Sequence, residues 1–354
     1  METFIIFAAV GVCALLLNFI LMPIIIRIAH KRKLFDLPNG RKIHTGPIPR
    51  LGGIGIFVSF LVAALIIPGV LVLILPGYSY PYTLNHLPVL AGFCLICALG
   101  LVDDFRSLRA RLKFFVQILA GILVTLGGYT ISVISIPGIG MLELGIWGYP
   151  ITVFWIVGLS NALNFIDGID GFAGVISSFA ALSLGVVFLS QGQSVPALLA
   201  FALLGSALSF LAFNAPPARI FMGDCGAYLF GFTLSVLPLL GLRSSDFLAN
   251  MSAAIILLTI PIIDTAYAIV RRLRKKQSPL TPDKEHIHHK LMDLGLKEWD
   301  ILRIIGVGSI ALSAAAIVAG IVQGITGIII FFSTGAVSIT IYVLLMRLRV
   351  KTRV

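Results

Sequence analysis

The sequence contains few charged residues and no polar stretch long enough to form an independent soluble domain. Asp, Glu, Lys and Arg make up 12% of the 354 residues, whereas 58% are hydrophobic. This composition excludes a soluble protein held by a single anchor and is typical of an integral membrane protein. We therefore expect one integral membrane domain over residues 1–354.

Cysteine is also scarce, and the four residues present provide no disulfide framework. Cys94 and Cys97 have the CxxC spacing of redox motifs, but they lie inside an apolar run, where small residues usually pack helices together. The N-terminus lacks a basic region and an A-x-A-like cleavage site. We therefore expect the first apolar run to be retained as a helix rather than removed as a signal peptide.

Long apolar runs dominate the chain, and a spanning helix needs about 20 such residues. About eleven segments are candidates: 3–26, 52–75, 86–102, 113–128, 150–166, 172–190, 196–213, 226–242, 249–270, 302–322 and 326–346. The predicted fold class is therefore an all-α polytopic membrane protein with about eleven transmembrane helices. Residues 129–149 alternate loosely around Pro137-Gly138, which predicts a small external β-hairpin.

The basic residues predict the orientation of the chain. If the N-terminus is outside, every Lys and Arg except Arg243 lies on the inner side, as the positive-inside rule requires. This topology explains the net charge of +11, so no nucleic-acid partner is expected. The C-terminus is then cytoplasmic. Most acidic residues also lie inside, although they follow no such rule, which indicates a site that faces the cytoplasm.

The most polar of these inner segments is NALNFIDGIDGFAG, residues 161–174. An Asp at the bilayer centre costs about 2.5–3.5 kcal/mol on insertion scales, so this segment indicates a water-filled site. A helix would place Asn161 with Asn164, and Asp167 with Asp170, on one face. The glycines would instead permit a tight loop against a ligand. An EF-hand does not fit, because its spacing and closing Glu are absent.

Two further inner segments carry grouped charges. RKIHTGPIPRLGG, which includes Lys42, is either a charged loop against anionic lipid headgroups or a clamp for phosphate groups. In LVDDFRSLRARLKFFVQ, the adjacent carboxylates of Asp103 and Asp104 repel each other, so they require a cation or a proton at a membrane mouth. Neutralisation by the neighbouring arginines is the alternative.

Two single aspartates have open interpretations. In FNAPPARIFMGDCGAYLFG, Asp224 occupies a Gly-Asp-x-Gly turn. A lone Asp in a turn is usually a cap or an Asx-turn residue, but four other inner carboxylates favour a shared site. Asp264 lies about two helical turns before Arg271. It either pairs with that helix-end arginine or belongs to the site.

The segment PDKEHIHHK contains three clustered histidines, His286, His288 and His289. Clustered histidines suggest zinc, but no cysteine is nearby and the spacing differs from that of zinc fingers. Contacts with phosphate oxygens, or proton transfer near neutral pH, fit a carboxylate-rich site better.

Together, the inner segments provide carboxylates, amide oxygens, basic residues and histidines. Such hard oxygen ligands favour Mg²⁺ or Mn²⁺, and magnesium with basic residues is typical of phosphoryl transfer. At a membrane surface, this predicts a transferase acting between a lipid phosphate and a soluble nucleotide-like donor. A secondary transporter is the alternative from another class. Its site would lie near the midplane between internal repeats, and no clear repeat is present.

Four segments resemble, in order, the signature motifs of the polyprenyl-phosphate N-acetylhexosamine-1-phosphate transferases. They are LGLVDDFRSLRARLKFFVQ, NALNFIDGIDGFAG, FNAPPARIFMGDCGAYLFG and PDKEHIHHKL. The His-x-His-His pattern is similar to that of the bacterial undecaprenyl-phosphate N-acetylglucosamine-1-phosphate transferases, which start teichoic acid, O-antigen and enterobacterial common antigen synthesis. The phospho-N-acetylmuramoyl-pentapeptide transferases resemble it less, because they carry three consecutive histidines.

The resemblance implies that undecaprenyl phosphate attacks UDP-GlcNAc in the bacterial plasma membrane, with UMP as the leaving group. It implies Mg²⁺, or Mn²⁺ in its place, and an active site that faces the cytoplasm. Another UDP-sugar donor, such as the muramoyl-pentapeptide derivative, is the alternative within the family. A homo-oligomer is compatible with this function.

The resemblance also implies a role for individual residues. Those matched to catalytic positions are Asp103, Asp104, Asp167 and His288; the Asp103–Asp104 pair would position or deprotonate the lipid phosphate. Those matched to metal-binding positions are Asn164 and Asp224. Those expected to contact substrate are Lys113, Asp170, Phe221, His286, His289 and, from the phosphate-clamp hypothesis, Lys42. Cys225 departs from the family, which more often has Ser or Thr there, so a hydroxyl role at this position is in doubt.

Overall fold

The computed structural model describes residues 2–35, 48–75, 77–136, 140–241, 247–278, 285–322 and 324–348. Fourteen α-helices account for most of these residues. They are α1 (Glu2–Arg32), α2 (Gly52–Leu61), α3 (Ile67–Ile74), α4 (Leu87–Arg106), α5 (Ala110–Leu126), α6 (Gly148–Ile166), α7 (Phe172–Ser190), α8 (Ser194–Asn214), α9 (Gly223–Leu240), α10 (Phe247–Leu257), α11 (Thr259–Arg274), α12 (Ile287–Asp293), α13 (Glu298–Val322) and α14 (Gly324–Arg347). The strands are β1 (Val133–Ile136) and β2 (Gly140–Glu143).

The predicted all-α polytopic membrane fold is confirmed, but the predicted number of spans is not. Within the described ranges, nine helical segments are long and apolar enough to cross a membrane, and the bent pair α10–α11 would make ten. Each of the eleven predicted segments contains a helix. However, α5 has only 17 residues, fewer than the about 20 that a span usually needs.

Prolines explain two breaks in these helices. Pro261 has no N–H for the carbonyl of Leu257, the residue at which α10 ends, and the axes of α10 and α11 differ by 70°. Likewise, Pro68 cannot donate to the carbonyl of Ala64, which lies in a π-helical turn between α2 and α3. The hydroxyl of Tyr82 donates to that carbonyl instead, at 2.9 Å.

The two strands form the predicted hairpin within residues 129–149. They pair antiparallel, with Val133 opposite Glu143 and Ile136 opposite Gly140. The predicted turn residues Pro137-Gly138 lie outside the described residues. The hairpin is therefore confirmed, whereas its external location stays a prediction.

The centre of the bundle is formed by α7, α8 and α9, of which α9 is the most enclosed. Helix α9 packs against α4 and α6, and α5 packs against the same two helices. Gly100 allows the close approach of α4, because a side chain there would overlap the backbone of Cys225. At the same contact, Sγ of Cys97 lies 3.1 Å from Sγ of Cys225. Cys97 thus packs across two helices, as its apolar surroundings predict.

Candidate active site

The ends of four helices meet at one end of the bundle and bring polar side chains together. Helix α4 ends beyond Asp103 and Asp104, α5 begins just before Lys113, α6 ends beyond Asn164, and α9 begins with Asp224 in its first turn. Helices α4 and α6 each pack against both α5 and α9. Three predicted motifs that are far apart in sequence therefore contribute to one polar cluster.

Lys113 links two of the carboxylates. Its Nζ lies 2.5 Å from Oδ2 of Asp103 and 3.6 Å from Oδ2 of Asp224. Asp103 is buried and also accepts the backbone N–H of Leu108 at 2.6 Å. A buried carboxylate is tolerated only when it is paired and hydrogen-bonded, so Lys113 neutralises Asp103. The Lys113 side chain is nevertheless 26% exposed, so it is available to a substrate phosphate.

Asp104 binds the backbone at the start of α9. Its two carboxylate oxygens accept the N–H groups of Asp224 and Cys225, at 2.8 and 3.2 Å. These N–H groups belong to the first turn of α9, where a helix offers no internal acceptor and favours negative charge. Asp104 therefore ties the end of α4 to the start of α9. Its catalytic role stays a prediction.

Asn164 and Asp224 are adjacent, as a shared metal site requires. Nδ2 of Asn164 donates to Oδ1 of Asp224 at 2.9 Å, and 20% of the Asp224 side chain is exposed. An amide oxygen and one carboxylate fit Mg²⁺, which usually takes one or two carboxylates together with water and phosphate oxygens. In the described part of the chain, no three His, Cys, Asp or Glu residues are grouped so as to hold a metal. A closed zinc site needs four such ligands, so the grouping of the described residues does not match one.

The other asparagine of the motif has a different partner. Nδ2 of Asn161 donates to Oε1 of Gln117 at 2.7 Å and to the carbonyl of Val157 at 2.8 Å. Gln117 is buried in α5, so this contact satisfies two amides between α5 and α6. Asn161 therefore links α5 to α6, whereas Asn164, one helical turn closer to the end of α6, contacts Asp224.

Asp167 lies directly after α6, where its carboxyl is half-buried. Loss of hydration on burial raises the pKa of this carboxyl to about 7, and the nearby charge of Asp224 acts in the same direction. The positive charge of Arg50 opposes this shift. Arg50 belongs to the predicted phosphate clamp, whereas Lys42 of the same segment lies outside the described residues. The pKa of Asp167 therefore lies near neutral pH.

The Asp170 side chain binds the connection that contains Phe221, and the backbone of Phe221 binds the segment before α2. Oδ2 of Asp170 accepts the N–H of Ala218, at 2.8 Å, in the connection between α8 and α9. Further along that connection, the N–H of Phe221 donates to the carbonyl of Pro49, at 2.7 Å, and the carbonyl of Phe221 accepts the N–H of Gly52, at 2.9 Å. Phe221 is half-buried. Its contact with substrate stays a prediction.

The three histidines pack together beside the same loop. The rings of His286 and His288 are parallel, with centroids 6.0 Å apart, and His289 lies 4.3 Å from His288. A side chain at Gly168 would overlap the His288 ring, so only glycine permits this contact with the aspartate loop. Burial lowers the pKa of His288 to about 3, helped by the neighbouring histidines, and the ring is neutral at physiological pH.

The sequence left the role of Asp264, which is buried, open between two alternatives. In the structure it accepts a hydrogen bond from His286 (2.6 Å), whereas Arg271 contacts Glu285 (3.1 Å). Asp264 therefore belongs to the histidine cluster. The intramembrane position of this acid was the signal, since such residues are usually functional, but its partner could not be read from the sequence.

Comparisons with known proteins give a consistent result. Residues 86–242 match the family model described as glycosyl transferase family 4. The chain is 38% identical, over 87% of its length and 83% of the relative, to a protein named probable undecaprenyl-phosphate N-acetylglucosaminyl 1-phosphate transferase from Bacillus subtilis. It is 33% identical, over 79% of its length and 74% of the relative, to the decaprenyl-phosphate N-acetylglucosaminephosphotransferase of Mycolicibacterium smegmatis. The chain is 29% identical, over 83% of its length and 78% of the relative, to the undecaprenyl-phosphate alpha-N-acetylglucosaminyl 1-phosphate transferase of Escherichia coli K12.

Proposed function

Because this chain belongs to glycosyl transferase family 4 and is related to the polyprenyl-phosphate N-acetylhexosamine-1-phosphate transferases, we propose that it transfers N-acetylglucosamine-1-phosphate from UDP-GlcNAc to undecaprenyl phosphate. An oxygen of the lipid phosphate forms a bond to the sugar-bound phosphorus. The bond from that phosphorus to UMP breaks, and UMP leaves. The products are undecaprenyl-pyrophosphoryl-GlcNAc and UMP.

The observation that carries this proposal is the cluster of Lys113, Asp103, Asp224 and Asn164 at the end of an apolar bundle. Lys113 is partly exposed and lies within reach of two carboxylates. A lysine held beside oxygen ligands suits a phosphate group. The apolar helices next to it suit a polyprenyl chain, and the open end of the bundle suits a soluble nucleotide.

We propose Mg²⁺ as the metal, held by Oδ1 of Asn164 and the carboxylate of Asp224. When bound, it would neutralise charge on the pyrophosphate of the donor. Asn164 is suited to this position because a neutral oxygen ligand adds no negative charge beside the phosphates. Mn²⁺ has the same ligand preference and could replace it.

The remaining residues orient the reactants and move a proton. Lys113 holds a phosphate, while Asp104 fixes the first turn of α9 and so the direction of Asp224. Asp167, with a pKa of about 7, can accept the proton of the lipid phosphate when it is ionised. His288, which is neutral, supports the aspartate loop at Gly168.

We further propose that the site faces the cytoplasm of a bacterial cell and that the lipid product starts a cell-surface polysaccharide or a teichoic acid. The distribution of Lys and Arg supports this orientation. It can be tested with single cysteines introduced as Lys42→Cys and Lys284→Cys in a cysteine-free background. Labelling of either residue by an impermeant thiol reagent added to intact cells would contradict the orientation.

The direct test uses membranes that contain the full chain and undecaprenyl phosphate. Separate samples receive radiolabelled UDP-GlcNAc, UDP-GalNAc or UDP-muramoyl-pentapeptide, and label in the extracted polyprenyl lipid is measured together with UMP release. We expect labelled lipid with UDP-GlcNAc, and none from membranes with the Asp224→Asn variant. Labelling with the muramoyl-pentapeptide donor alone would assign the chain to the other branch of the family, and no labelling with any donor would refute the proposal.

A further inference from the structure

Asp264 is a buried carboxylate with three hydrogen-bond donors around it. It lies in α11 after the bend, and only 1% of the residue is exposed. Oδ2 accepts from Nδ1 of His286 at 2.6 Å, and Oδ1 accepts from the N–H of Ile287 and the hydroxyl of Tyr342, both at 2.8 Å. Three donors around one buried carboxylate form a satisfied network of the kind that fixes side-chain positions.

The contact with Asp264 determines the chemistry of the His286 ring. An ionised carboxylate only accepts hydrogen bonds, so the proton must lie on Nδ1 of His286. In the neutral ring the lone pair is then on Nε2. Carboxylate partners of this kind fix both the tautomer and the orientation of a histidine in metal sites and in catalytic triads. The N–H of Ile287, the next residue, is held by the same carboxylate.

The orientation of His286 affects the rest of the cluster. Its ring packs 6.0 Å from Phe165 at the end of α6 and lies parallel to His288, which contacts the aspartate loop at Gly168. Protein interiors are closely packed, so a rotation of the His286 ring would displace His288 and the loop together. Asp264 therefore influences the position of the aspartate loop through His286 and His288, rather than through its own hydrogen bonds.

Tyr342 connects this network to the last helix. Helix α14 lies at the edge of the bundle, yet Tyr342 is only 4% exposed and packs edge-on against Tyr267 of α11 at 5.6 Å. Its hydroxyl shares Oδ1 of Asp264 with the N–H of Ile287. The last helix thus contributes one hydroxyl group to the hydrogen-bond network that holds the histidines.

We propose that Asp264, aided by Tyr342, is a positioning residue that holds His286 in the tautomer and orientation that the transfer reaction uses; this inference rests on the proposed function. Asp264 does not contact substrate in this assignment. It acts only through His286. Its replacement should therefore matter only when His286 is present, which a general structural role does not predict.

The test is a double-mutant cycle on UMP release by the full chain in membranes. Partners that support catalytic or metal-binding histidines typically contribute about 10–100-fold, so we expect Asp264→Asn to lower kcat by that factor, with little change in KM for UDP-GlcNAc. In the His286→Asn background, Asp264→Asn should cost less than about threefold, because the two residues act as a unit. Equal losses in both backgrounds, or wild-type kcat in Asp264→Asn, would overturn the assignment.

Two further variants separate positioning from folding. Tyr342→Phe keeps the ring and removes one donor to Asp264; we expect a smaller loss of kcat that disappears in the His286→Asn background. Thr265→Val is the matched control, because its hydroxyl is buried without a hydrogen-bond partner among the described residues. It should retain wild-type kcat, and a loss there equal to that of Asp264→Asn would refute a specific role.

A readout that does not depend on turnover distinguishes this inference from the proposed function. With ¹⁵N-labelled histidine, the His286 signals are assigned by comparing wild type with His286→Asn. We expect the His286 proton on Nδ1 in wild type and a mixture of tautomers in Asp264→Asn. An unchanged tautomer would overturn the positioning role, whereas a wild-type protein that labels no lipid from any donor would refute the proposed function alone.

Discussion

Replacement of Lys113 by Met tests whether the polar cluster depends on this one cation. The change keeps most of the apolar side chain but removes the ammonium group that lies 2.5 Å from Asp103 and 3.6 Å from Asp224. Asp103 would then be a buried carboxylate without its cation, although it would keep the hydrogen bond from the N–H of Leu108. Breaking a buried ion pair from one side costs about 3–5 kcal/mol.

We expect a value near the lower end, about 3 kcal/mol, because 26% of the Lys113 side chain is exposed and the N–H of Leu108 is retained. The free energy of unfolding should therefore fall, seen as a lower midpoint of thermal unfolding in detergent. Loss of a cation that holds a phosphate should also reduce UMP release by about 10²–10³-fold, as for other preorganised donors.

The double variant Lys113→Met/Asp103→Asn separates the two effects. Asn removes the unpaired charge while its amide oxygen can still accept from Leu108, so stability should return towards that of wild type. Activity should not return. Lys275→Met is the control, because its ion pair with Glu285 is half-exposed on both sides and contributes little. Unchanged stability of Lys113→Met, or recovered activity in the double variant, would refute the reasoning.

Three other predictions follow from the same site. Asp224→Asn should insert and fold but lose UMP release that depends on a divalent cation; turnover that still responds to Mg²⁺ would contradict the metal assignment. Asp167 must be ionised to accept a proton and its pKa is raised to about 7, so kcat should increase with pH through about 7, and Asp167→Asn should remove this limb. Gly168→Ala should lower activity by about tenfold or more, because misplacing reacting groups by about 1 Å can cost 10²-fold and the new methyl overlaps His288. Gly158→Ala, where the added methyl meets open space, should have no effect on UMP release.

The parts of the site that the sequence predicts best are those at helix ends. Asp103, Asn164 and Asp224 each interrupt an apolar run, and the positive-inside rule places all three on one side of the membrane before any contact is known. The structure brings them together around Lys113. Topology predicts only that these residues lie at the same surface; the packing of α9 against α4 and α6 brings them into contact.

The network around Asp264 could not be predicted in this way. Its partners are 22, 23 and 78 residues away, and no pattern in the sequence shows which of these distant segments meet. The different functions of the adjacent Asp103 and Asp104, one paired with a lysine and one bound to backbone, also depend on how α9 meets α4. The bend at Leu258, by contrast, had a readable signal in Pro261.

The family match and the contacts of Asp224 concern the same stretch of chain. Residues 86–242 include α4, α5, α6 and α9, and each of these helices reaches Asp224 or its first turn through Asp104, Lys113, Asn164 or its own backbone. A chimera of two relatives should therefore exchange these four helices as one cassette. Junctions inside that stretch would separate Asp224 from the residues that it contacts, whereas α14 contributes only Tyr342 to the histidine network and should tolerate exchange.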